Sequence, residues 1–287
     1  MSFLKVFVLA IVQGMAELLP VSSSAHVVVA EKLMGLDPSA PSMTLLLVML
    51  HTGTMFAVIV YFWRRWRATY FSSLAQFKRI ALQVIVATAL TGVIGEALKL
   101  LIEKTAFRGA PHSQIEDLFS HLELIAPALA VAGILILVAG LRERRARDQP
   151  AAGTLSTRQA SLIGAAQGLS LPFRGFSRSG ATISVGMLAG VAKASAEDFS
   201  FALAVVLTPA VVGREVLRVL QAEQAGGVAG LAGAAVPSLL GALLSFVAGL
   251  LALKWLSGWL ENGRWYLFGV YCLVAAVAVG GLYFAGY

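Results

Sequence analysis

Long apolar stretches alternate with short charged segments along the whole chain. A helix that crosses the hydrocarbon core of a bilayer needs about 20 apolar residues, whereas runs of about 10–14 are typical of re-entrant or buried segments. Six stretches meet the longer requirement. They lie at residues 43–63, 80–102, 122–141, 199–220, 228–253 and 266–286. The pattern therefore predicts an all-α, multi-pass membrane protein with six transmembrane helices.

Two more apolar regions are interrupted near their middle by polar residues. The region 3–36 is broken by Glu17 and the serines that follow it, and the region 159–192 by Pro172 and Arg178. Irregular backbone at this depth is tolerated only where it is buried in protein or lines a wet cavity. Each region therefore predicts two half-length helices around a polar turn, which together form a re-entrant helical hairpin.

The two interrupted regions also resemble each other. Both run Gln-Gly, then Leu-Pro, then a serine cluster, starting at Gln13 and Gln167, and each precedes three predicted spans. An odd number of crossings per copy inverts the second copy relative to the first, as in many secondary transporters. We predict a single membrane domain of two inverted-topology repeats, about 1–150 and about 151–287. The alternative is chance recurrence in a chain rich in Leu, Gly and Ala.

Composition and charge add an orientation. Of 287 residues, 58% are hydrophobic and 13% charged, against roughly 25% charged in soluble domains. The net charge is +7, and basic residues are concentrated in the segments 64–79 and 142–158. The positive-inside rule places these segments in the cytoplasm. The segment 103–121 carries both signs and is expected outside, as are both chain ends. The one cysteine, Cys272, lies in an apolar run, which excludes cysteine-based metal sites.

The second polar turn carries residues suited to binding an anion. An arginine fork matches phosphate geometry, and the start of the following helix offers backbone N–H groups. A charge inside the membrane is costly unless compensated, so Arg178 and Glu17 are functional candidates by default. Arg174 is a weaker candidate, because its side chain could instead extend to the membrane–water interface or stabilise the loop. Arg178 is predicted to be a catalytic residue, and the predicted substrate-binding residues of this turn are Arg174, Ser177, Ser179 and Thr182.

The first polar turn supplies groups for acid–base or nucleophilic chemistry. Its candidate catalytic residues are Glu17, Ser23 and His26, and Gln13, Ser22 and Ser24 are candidate substrate contacts. Gln13 and Glu17 lie four residues apart and so share one helix face. Three alternatives stay open: the serines cap the next helix, His26 is an ordinary interior histidine, and Glu17 pairs structurally with Arg178.

The remaining polar residues of interest have plainer interpretations. Those inside predicted spans are taken as helix irregularities that pack against the hairpins, and two further histidines as loop residues. The former are His51, Thr52, Thr208 and Pro209, and the latter are His112 and His121. The phosphate-binding pattern Gly-x-x-x-x-Gly-Lys-Ser/Thr does not occur. A basic, aromatic-interleaved surface for nucleic acid is also missing from the sequence, so no nucleic-acid partner is expected.

With these motifs in place, the chain resembles the bacterial undecaprenyl-diphosphate phosphatase family, also called bacitracin-resistance proteins, over essentially its whole length. The likeness rests on the segments 17–26, 62–65 (Phe-Trp-Arg-Arg) and 175–182. It implies removal of the terminal phosphate from undecaprenyl diphosphate at the outer, periplasmic face of the bacterial cytoplasmic membrane. That reaction recycles the lipid carrier for cell-wall synthesis and gives bacitracin resistance.

The resemblance also implies a cofactor and a set of site residues. A divalent cation, Mg²⁺ or Ca²⁺, is expected, with Glu17 as its candidate ligand. The functional positions that carry over are Glu17, Ser23, His26, Ser177, Arg178 and Thr182, with Gln13 beside them. Two departures stand out. Gln13 lies where many members have a first glutamate, and the segment 171–175 has an extra residue with a displaced proline and an added arginine.

Several questions stay open at this point. The alternative function is a transporter that flips prenyl phosphate between leaflets with the same anion-binding turns. The nucleophile is Ser23, His26 or a water molecule. The oligomeric state is not fixed by the sequence, and a homodimer is among the partners considered.

Overall fold

The computed structural model describes residues 2–36, 41–106, 121–145, 155–224, 231–260 and 264–287, and the regular elements within these ranges are all α-helices. In chain order they are α1 (Phe3–Leu18), α2 (Ser23–Leu33), α3 (Pro41–Thr69), α4 (Leu74–Ala106), α5 (Leu122–Arg145), α6 (Thr157–Ser170), α7 (Arg178–Leu188), α8 (Lys193–Gln224), α9 (Leu231–Leu260) and α10 (Tyr266–Phe284). The prediction of an all-helical protein is confirmed. His112 and the charged residues of 107–120 and 146–154 lie outside the described residues.

Five helices of the described chain are long and apolar enough to cross a membrane. These stretches are Met43–Thr69, Leu74–Thr105, Leu122–Arg145, Ala235–Trp255 and Tyr266–Phe284. They overlap five of the predicted spans, and the sixth, 199–220, lies inside the continuous 32-residue helix α8. Large apolar side chains such as Val236 and Val277 are more than 70% exposed. Exposed apolar surface of this extent is typical of a face that contacts lipid or another protein, which agrees with a multi-pass membrane protein.

The two polar turns each join a pair of short helices, as predicted. Helices α1 and α2 have 16 and 11 residues, and α6 and α7 have 14 and 11. At 1.5 Å per residue even the longest reaches only about 24 Å, less than the roughly 30 Å of a hydrocarbon core. The predicted half-length helices are therefore present on both sides of each turn.

Both short helices that follow a turn begin in the same unusual way. Ser22 precedes α2 with φ 67° and Ser177 precedes α7 with φ 42°, and these are the two non-glycine residues with positive φ in the described chain. Each serine Oγ accepts a hydrogen bond from a backbone N–H three residues on, Ala25 in one case and Gly180 in the other. The capping interpretation of the first serine cluster thus holds for Ser22. Such strained positions persist only when the surroundings hold them.

Helix packing crosses between the two halves of the chain. Helix α1 packs against α9, α6 against α4, and α5 against α10. Small residues allow the close approach, as expected for helices in a membrane. A Cβ at Gly14 would overlap Ala248 of α9, and a Cβ at Gly164 would overlap the backbone of Ala87 in α4. The first helix of each pair of short helices therefore packs against a long helix from the opposite half of the chain.

Replacing Gly164 by alanine should loosen the α4–α6 contact. The added methyl group meets backbone atoms that cannot rotate away, and overpacking of this kind costs about 1–3 kcal/mol. We expect Gly164→Ala to lower the apparent melting temperature of the purified protein in detergent. The matched control is Gly92→Ala on α4, where a Cβ meets nothing within 4 Å. Equal melting temperatures for the two variants would contradict this packing.

Candidate active site

The two polar turns are joined by an ion pair between a carboxylate and a guanidinium. Arg178 Nη2, in the first turn of α7, donates to Glu17 Oε1 near the end of α1. The Glu17 side chain is 11% exposed and that of Arg178 is 26% exposed. The structure thus brings together the two charges that sequence reasoning selected. The expected pairing of Glu17 with Arg178 is present, and it lies in a cavity rather than in a packed interface.

The other oxygen of Glu17 receives two neutral donors. Ser23 Oγ donates to Glu17 Oε2 at 2.5 Å, and Gln13 Nε2 donates to the same oxygen at 3.1 Å. Gln13 lies one helical turn before Glu17 on α1, as the spacing predicts. A hydroxyl bonded to a carboxylate is a nucleophile beside a general base. Glu17 therefore has the geometry to take the Ser23 proton.

His26 is turned away from this pair. Its Nδ1 lies 2.7 Å from the Ser22 carbonyl oxygen and its Nε2 lies 2.7 Å from Tyr271 Oη. Because a carbonyl oxygen only accepts, Nδ1 carries the proton and Nε2 accepts from the tyrosine in the neutral ring. Neither nitrogen is bonded to Ser23 or Glu17. Of the two bases considered for Ser23, the geometry favours Glu17.

His51 is a site residue that the sequence interpretation assigned to helix packing. Its Nε2 lies 3.6 Å from Glu17 Oε2, and its Nδ1 donates to the Leu47 carbonyl oxygen at 2.8 Å, which fixes the ring. Helix α3 runs through His51 without interruption. The expected contact with the first pair of short helices is present at Glu17 of α1, but His51 also lines the cavity. Its only sequence signal is a histidine inside an apolar span.

A small cavity extends from the ion pair between α3 and α8. Of the site residues predicted from sequence, Glu17 and Arg178 line it. Its other lining residues are Leu18 of α1 and residues of the two long helices, and most of them are apolar. They include His51, Thr54, Met55, Val58, Phe201, Ala204, Val205 and Thr208. The cavity therefore offers a charged end and an apolar wall to one ligand.

Several predicted binding residues link the two turns instead of lining the cavity. Ser24 Oγ accepts from the Gly175 N–H at 3.3 Å, and Ser179 Oγ donates to the Leu19 carbonyl oxygen at 3.3 Å. Ser177 and Ser22 cap their helices, and Arg174 is half-buried in the second turn. These contacts fix the two turns against each other, which sets the position of Arg178 relative to Glu17.

Thr182 faces a different direction from the one expected. It is fully buried, and its Oγ1 lies 2.5 Å from Ser200 Oγ of α8 and 2.8 Å from the Arg178 carbonyl oxygen. The residue sits one turn after Arg178 and points into the α7–α8 contact. In this structure it supports the helix that carries Arg178.

A divalent cation would find few ligands among the described residues. No group of three His, Cys, Asp or Glu side chains comes together in that part of the chain. Glu17 is the carboxylate of the site, and the buried Gln13 Oε1 has no hydrogen-bond partner in the described structure. Mg²⁺ is commonly held by one or two protein carboxylates together with substrate phosphates. The donor set therefore fits a cation carried largely by a phosphate ligand.

Comparison with known proteins gives matches over nearly the full length. A family model described as bacitracin resistance protein BacA matches residues 6–278. The chain is 59% identical to undecaprenyl-diphosphatase 2 of Acinetobacter baylyi, with 95% of each chain covered. It is 36% identical to an undecaprenyl-diphosphatase of Syntrophotalea carbinolica over 99% of each chain. It is 35% identical to undecaprenyl-diphosphatase 2 of Burkholderia ambifaria over 94% of this chain and 92% of that protein.

Removing one partner of the ion pair should destabilise the protein more than removing both. An unpaired buried charge costs about 3–5 kcal/mol, and the 26% exposure of Arg178 places the expected loss at the lower end. We expect Glu17→Gln and Arg178→Gln each to lower the melting temperature in detergent, and the double variant to recover part of that loss.

The control for this experiment is Glu103→Gln, which removes one charge of the i,i+4 pair between Lys99 and Glu103 on α4. A surface pair of this kind contributes at most about 1 kcal/mol, so its melting temperature should change little. Purely additive losses in the Glu17 and Arg178 double variant would show that the two side chains do not interact.

Proposed function

Because the chain belongs to the bacitracin resistance protein BacA family, we propose that it is a hydrolase that converts undecaprenyl diphosphate to undecaprenyl phosphate and inorganic phosphate. The family resemblance predicted from the sequence motifs is confirmed by the family match and the relatives. The observation that carries the activity is the hydrogen bond from Ser23 to Glu17 beside Arg178. It unites a nucleophile, a base and a phosphate-binding cation within one membrane-embedded site.

Arg178 binds the terminal phosphate in this proposal. Its guanidinium is the cationic group of the cavity's charged end, and it matches two phosphate oxygens in one plane. The N-terminus of α7 adds a partial positive charge beside it. Phosphoryl transfer places negative charge on the equatorial oxygens, so these fixed groups stabilise the transition state. The prenyl chain extends along the apolar residues contributed by α3 and α8.

Ser23 performs the displacement. Its Oγ attacks the terminal phosphorus while Glu17 Oε2 accepts the hydroxyl proton. The bond from that phosphorus to the bridging oxygen breaks, and undecaprenyl phosphate leaves with the electron pair. Glu17 passes the Ser23 proton to the departing undecaprenyl phosphate and so becomes a carboxylate again. Water then attacks the phosphoserine while Glu17 accepts one of its protons. The bond from phosphorus to Ser23 Oγ breaks, Glu17 returns that proton to Ser23 Oγ, and inorganic phosphate is released. Direct attack by water activated by Glu17 is the alternative, and trapping a phosphorylated Ser23 distinguishes the two.

A divalent cation, Mg²⁺ or Ca²⁺, completes the proposed site. Glu17 and the free amide oxygen of Gln13 would hold it together with the phosphates. When bound, the ion neutralises part of the diphosphate charge. The donor set argues for a single, weakly held ion, because Gln13 contributes a neutral oxygen in place of a second carboxylate.

We also propose an inverted-repeat architecture and an orientation of the protein in the membrane. The matched capping serines, the half-length helices and the reciprocal α1–α9 and α4–α6 contacts support two inverted repeats with re-entrant hairpins. In the bacterial cytoplasmic membrane, the arginine-rich ends of α3 and α5 would face the cytoplasm and the site would open to the periplasmic side. A homodimer remains part of the proposal to be tested by mass measurement in detergent, and no nucleic-acid partner is included.

The same geometry favours hydrolysis over lipid flipping. A transporter that only moves prenyl phosphate needs a site for the anion but gains nothing from a serine bonded to a carboxylate. In detergent there are no two sides of a membrane, so phosphate release there reports chemistry alone.

Loss of the proposed nucleophile or the phosphate-binding arginine should nearly abolish phosphate release. We expect Ser23→Ala and Arg178→Ala each to lower kcat for a prenyl diphosphate by about 100-fold or more, the scale for removing a group that stabilises the transition state. The controls are Ser161→Ala and Arg158→Ala on the exposed part of α6. Near-normal rates in both site variants would overturn the proposed chemistry.

Adding a carboxylate at Gln13 should strengthen cation binding. We expect a chelator to stop phosphate release, Mg²⁺ or Ca²⁺ to restore it, and Gln13→Glu to reach half-maximal activity at a lower cation concentration. The reason is that a second negative oxygen beside Glu17 attracts the ion more strongly than a neutral amide. A titration of rate against free Mg²⁺ measures the shift. An unchanged midpoint would mean that Gln13 does not contact the ion.

A further inference from the structure

Helix α10, from the C-terminal end of the chain, reaches the first polar turn at two adjacent residues. Tyr271 Oη lies 2.7 Å from His26 Nε2, and the two rings stack with centroids 5.6 Å apart and planes 13° apart. Beside it, Cys272 Sγ lies 3.5 Å from the Pro20 carbonyl oxygen. A helix far away in sequence therefore touches the turn that carries the proposed nucleophile.

The position of α10 is fixed by a close contact with α5. A Cβ at Gly269 would overlap the backbone of Leu137, and a Cβ at Gly133 would touch Cys272 and the Gly269 carbonyl oxygen. Helices that approach this closely cannot slide or rotate freely. Tyr271, two residues after Gly269, is thus presented to His26 by a rigid support.

The hydrogen bonds run in one direction from Tyr271 to the strained turn. The hydroxyl donates to His26 Nε2, which leaves the ring proton on Nδ1, and Nδ1–H donates to the Ser22 carbonyl oxygen at 2.7 Å. The backbone N–H of His26 also points to that oxygen, at 3.4 Å. His26 therefore helps to hold Ser22 in its positive-φ conformation, which persists only where the surrounding contacts determine it.

Ser22 directly precedes Ser23, so the Ser22 backbone sets where Ser23 Oγ lies. A displacement of about 1 Å at a reacting group can cost about 100-fold in rate. The 2.5 Å contact between Ser23 and Glu17 depends on this local geometry. By fixing the tautomer and orientation of His26, the Tyr271 side chain helps to keep Ser23 Oγ within hydrogen-bond distance of Glu17.

We propose that Tyr271 is a positioning residue for phosphate release, acting through His26 and the Ser22 backbone to hold Ser23 against Glu17. The inference rests on the proposed function, because it assigns Tyr271 a place in that reaction. It also accounts for a tyrosine that is 47% exposed on an apolar helix and whose hydroxyl contacts His26 of the first polar turn.

The test removes only the hydroxyl. Tyr271→Phe keeps the stacked ring, so the melting temperature should stay near that of the wild type, whereas kcat should fall about 10- to 100-fold with KM within about 2-fold of its original value. The matched control is Tyr283→Phe on the same helix, which should leave both constants unchanged. A wild-type kcat in Tyr271→Phe overturns the proposal.

A double-variant cycle separates action through His26 from a general packing effect. If Tyr271 works through His26, then Tyr271→Phe should cause no further loss in a His26→Ala background, because coupled residues are not additive. Independent, multiplying losses would overturn the proposed route.

A spectroscopic measurement keeps the positioning claim testable without turnover. In ¹⁵N-histidine-labelled protein in detergent, the His26 signals, assigned with His26→Ala, should report the Nδ1–H tautomer and should shift toward a mixture in Tyr271→Phe. If the wild type releases no phosphate but this shift occurs, the proposed function fails while the contact stands. An unchanged tautomer would overturn the role of the Tyr271 hydroxyl.

Discussion

The structure depends on keeping two opposite charges inside a membrane protein at one point. A carboxylate and a guanidinium at this depth are costly unless each has a partner and further donors. Glu17 receives Arg178 on one oxygen and Ser23 and Gln13 on the other. These contacts require both polar turns to end at the same place. The half-length helices, the strained capping serines and the crossing contacts between the two halves all serve that requirement.

The glutamines of the two Gln-Gly motifs have different hydrogen-bond partners. In the first copy, the Gln13 amide donates to the Glu17 carboxylate. In the second, Gln167 is fully buried and its amide lies 3.4 Å from Thr91 Oγ1 of α4, where it contributes to helix packing. The glycine of each motif has kept one role, since Gly14 and Gly168 both lie against a long helix. The two glycines therefore make similar contacts, whereas the two glutamines have different hydrogen-bond partners.

Much of the fold was predictable from the sequence, because polar groups in the hydrocarbon core are costly and therefore stand out in an apolar stretch. The turns, the half-length helices, the all-helical fold and the charges Glu17 and Arg178 all follow from where apolar runs stop. His51 and Tyr271 were not predictable, because in a membrane protein the lipid-facing and core-facing sides of a helix are both apolar, so hydropathy does not fix rotation about the helix axis. The sequence also could not show that Glu17, and not His26, is the hydrogen-bond partner of Ser23. That arrangement depends on the local backbone, in which Ser22 has a positive φ and its carbonyl oxygen accepts from His26.

In the proposed mechanism, the Glu17 carboxylate competes with the substrate for Arg178, because the two side chains form an ion pair. An arriving anion gains Arg178 only by displacing a carboxylate that is already bonded to it, so weakly charged headgroups that offer less than Glu17 does are held poorly. A diphosphate, with several charged oxygens, can win that exchange. Once the arginine has moved to the ligand, Glu17 loses its strongest neighbour and becomes a better proton acceptor for Ser23. In the proposed mechanism, binding of the substrate to Arg178 therefore frees Glu17 to act as the base for Ser23.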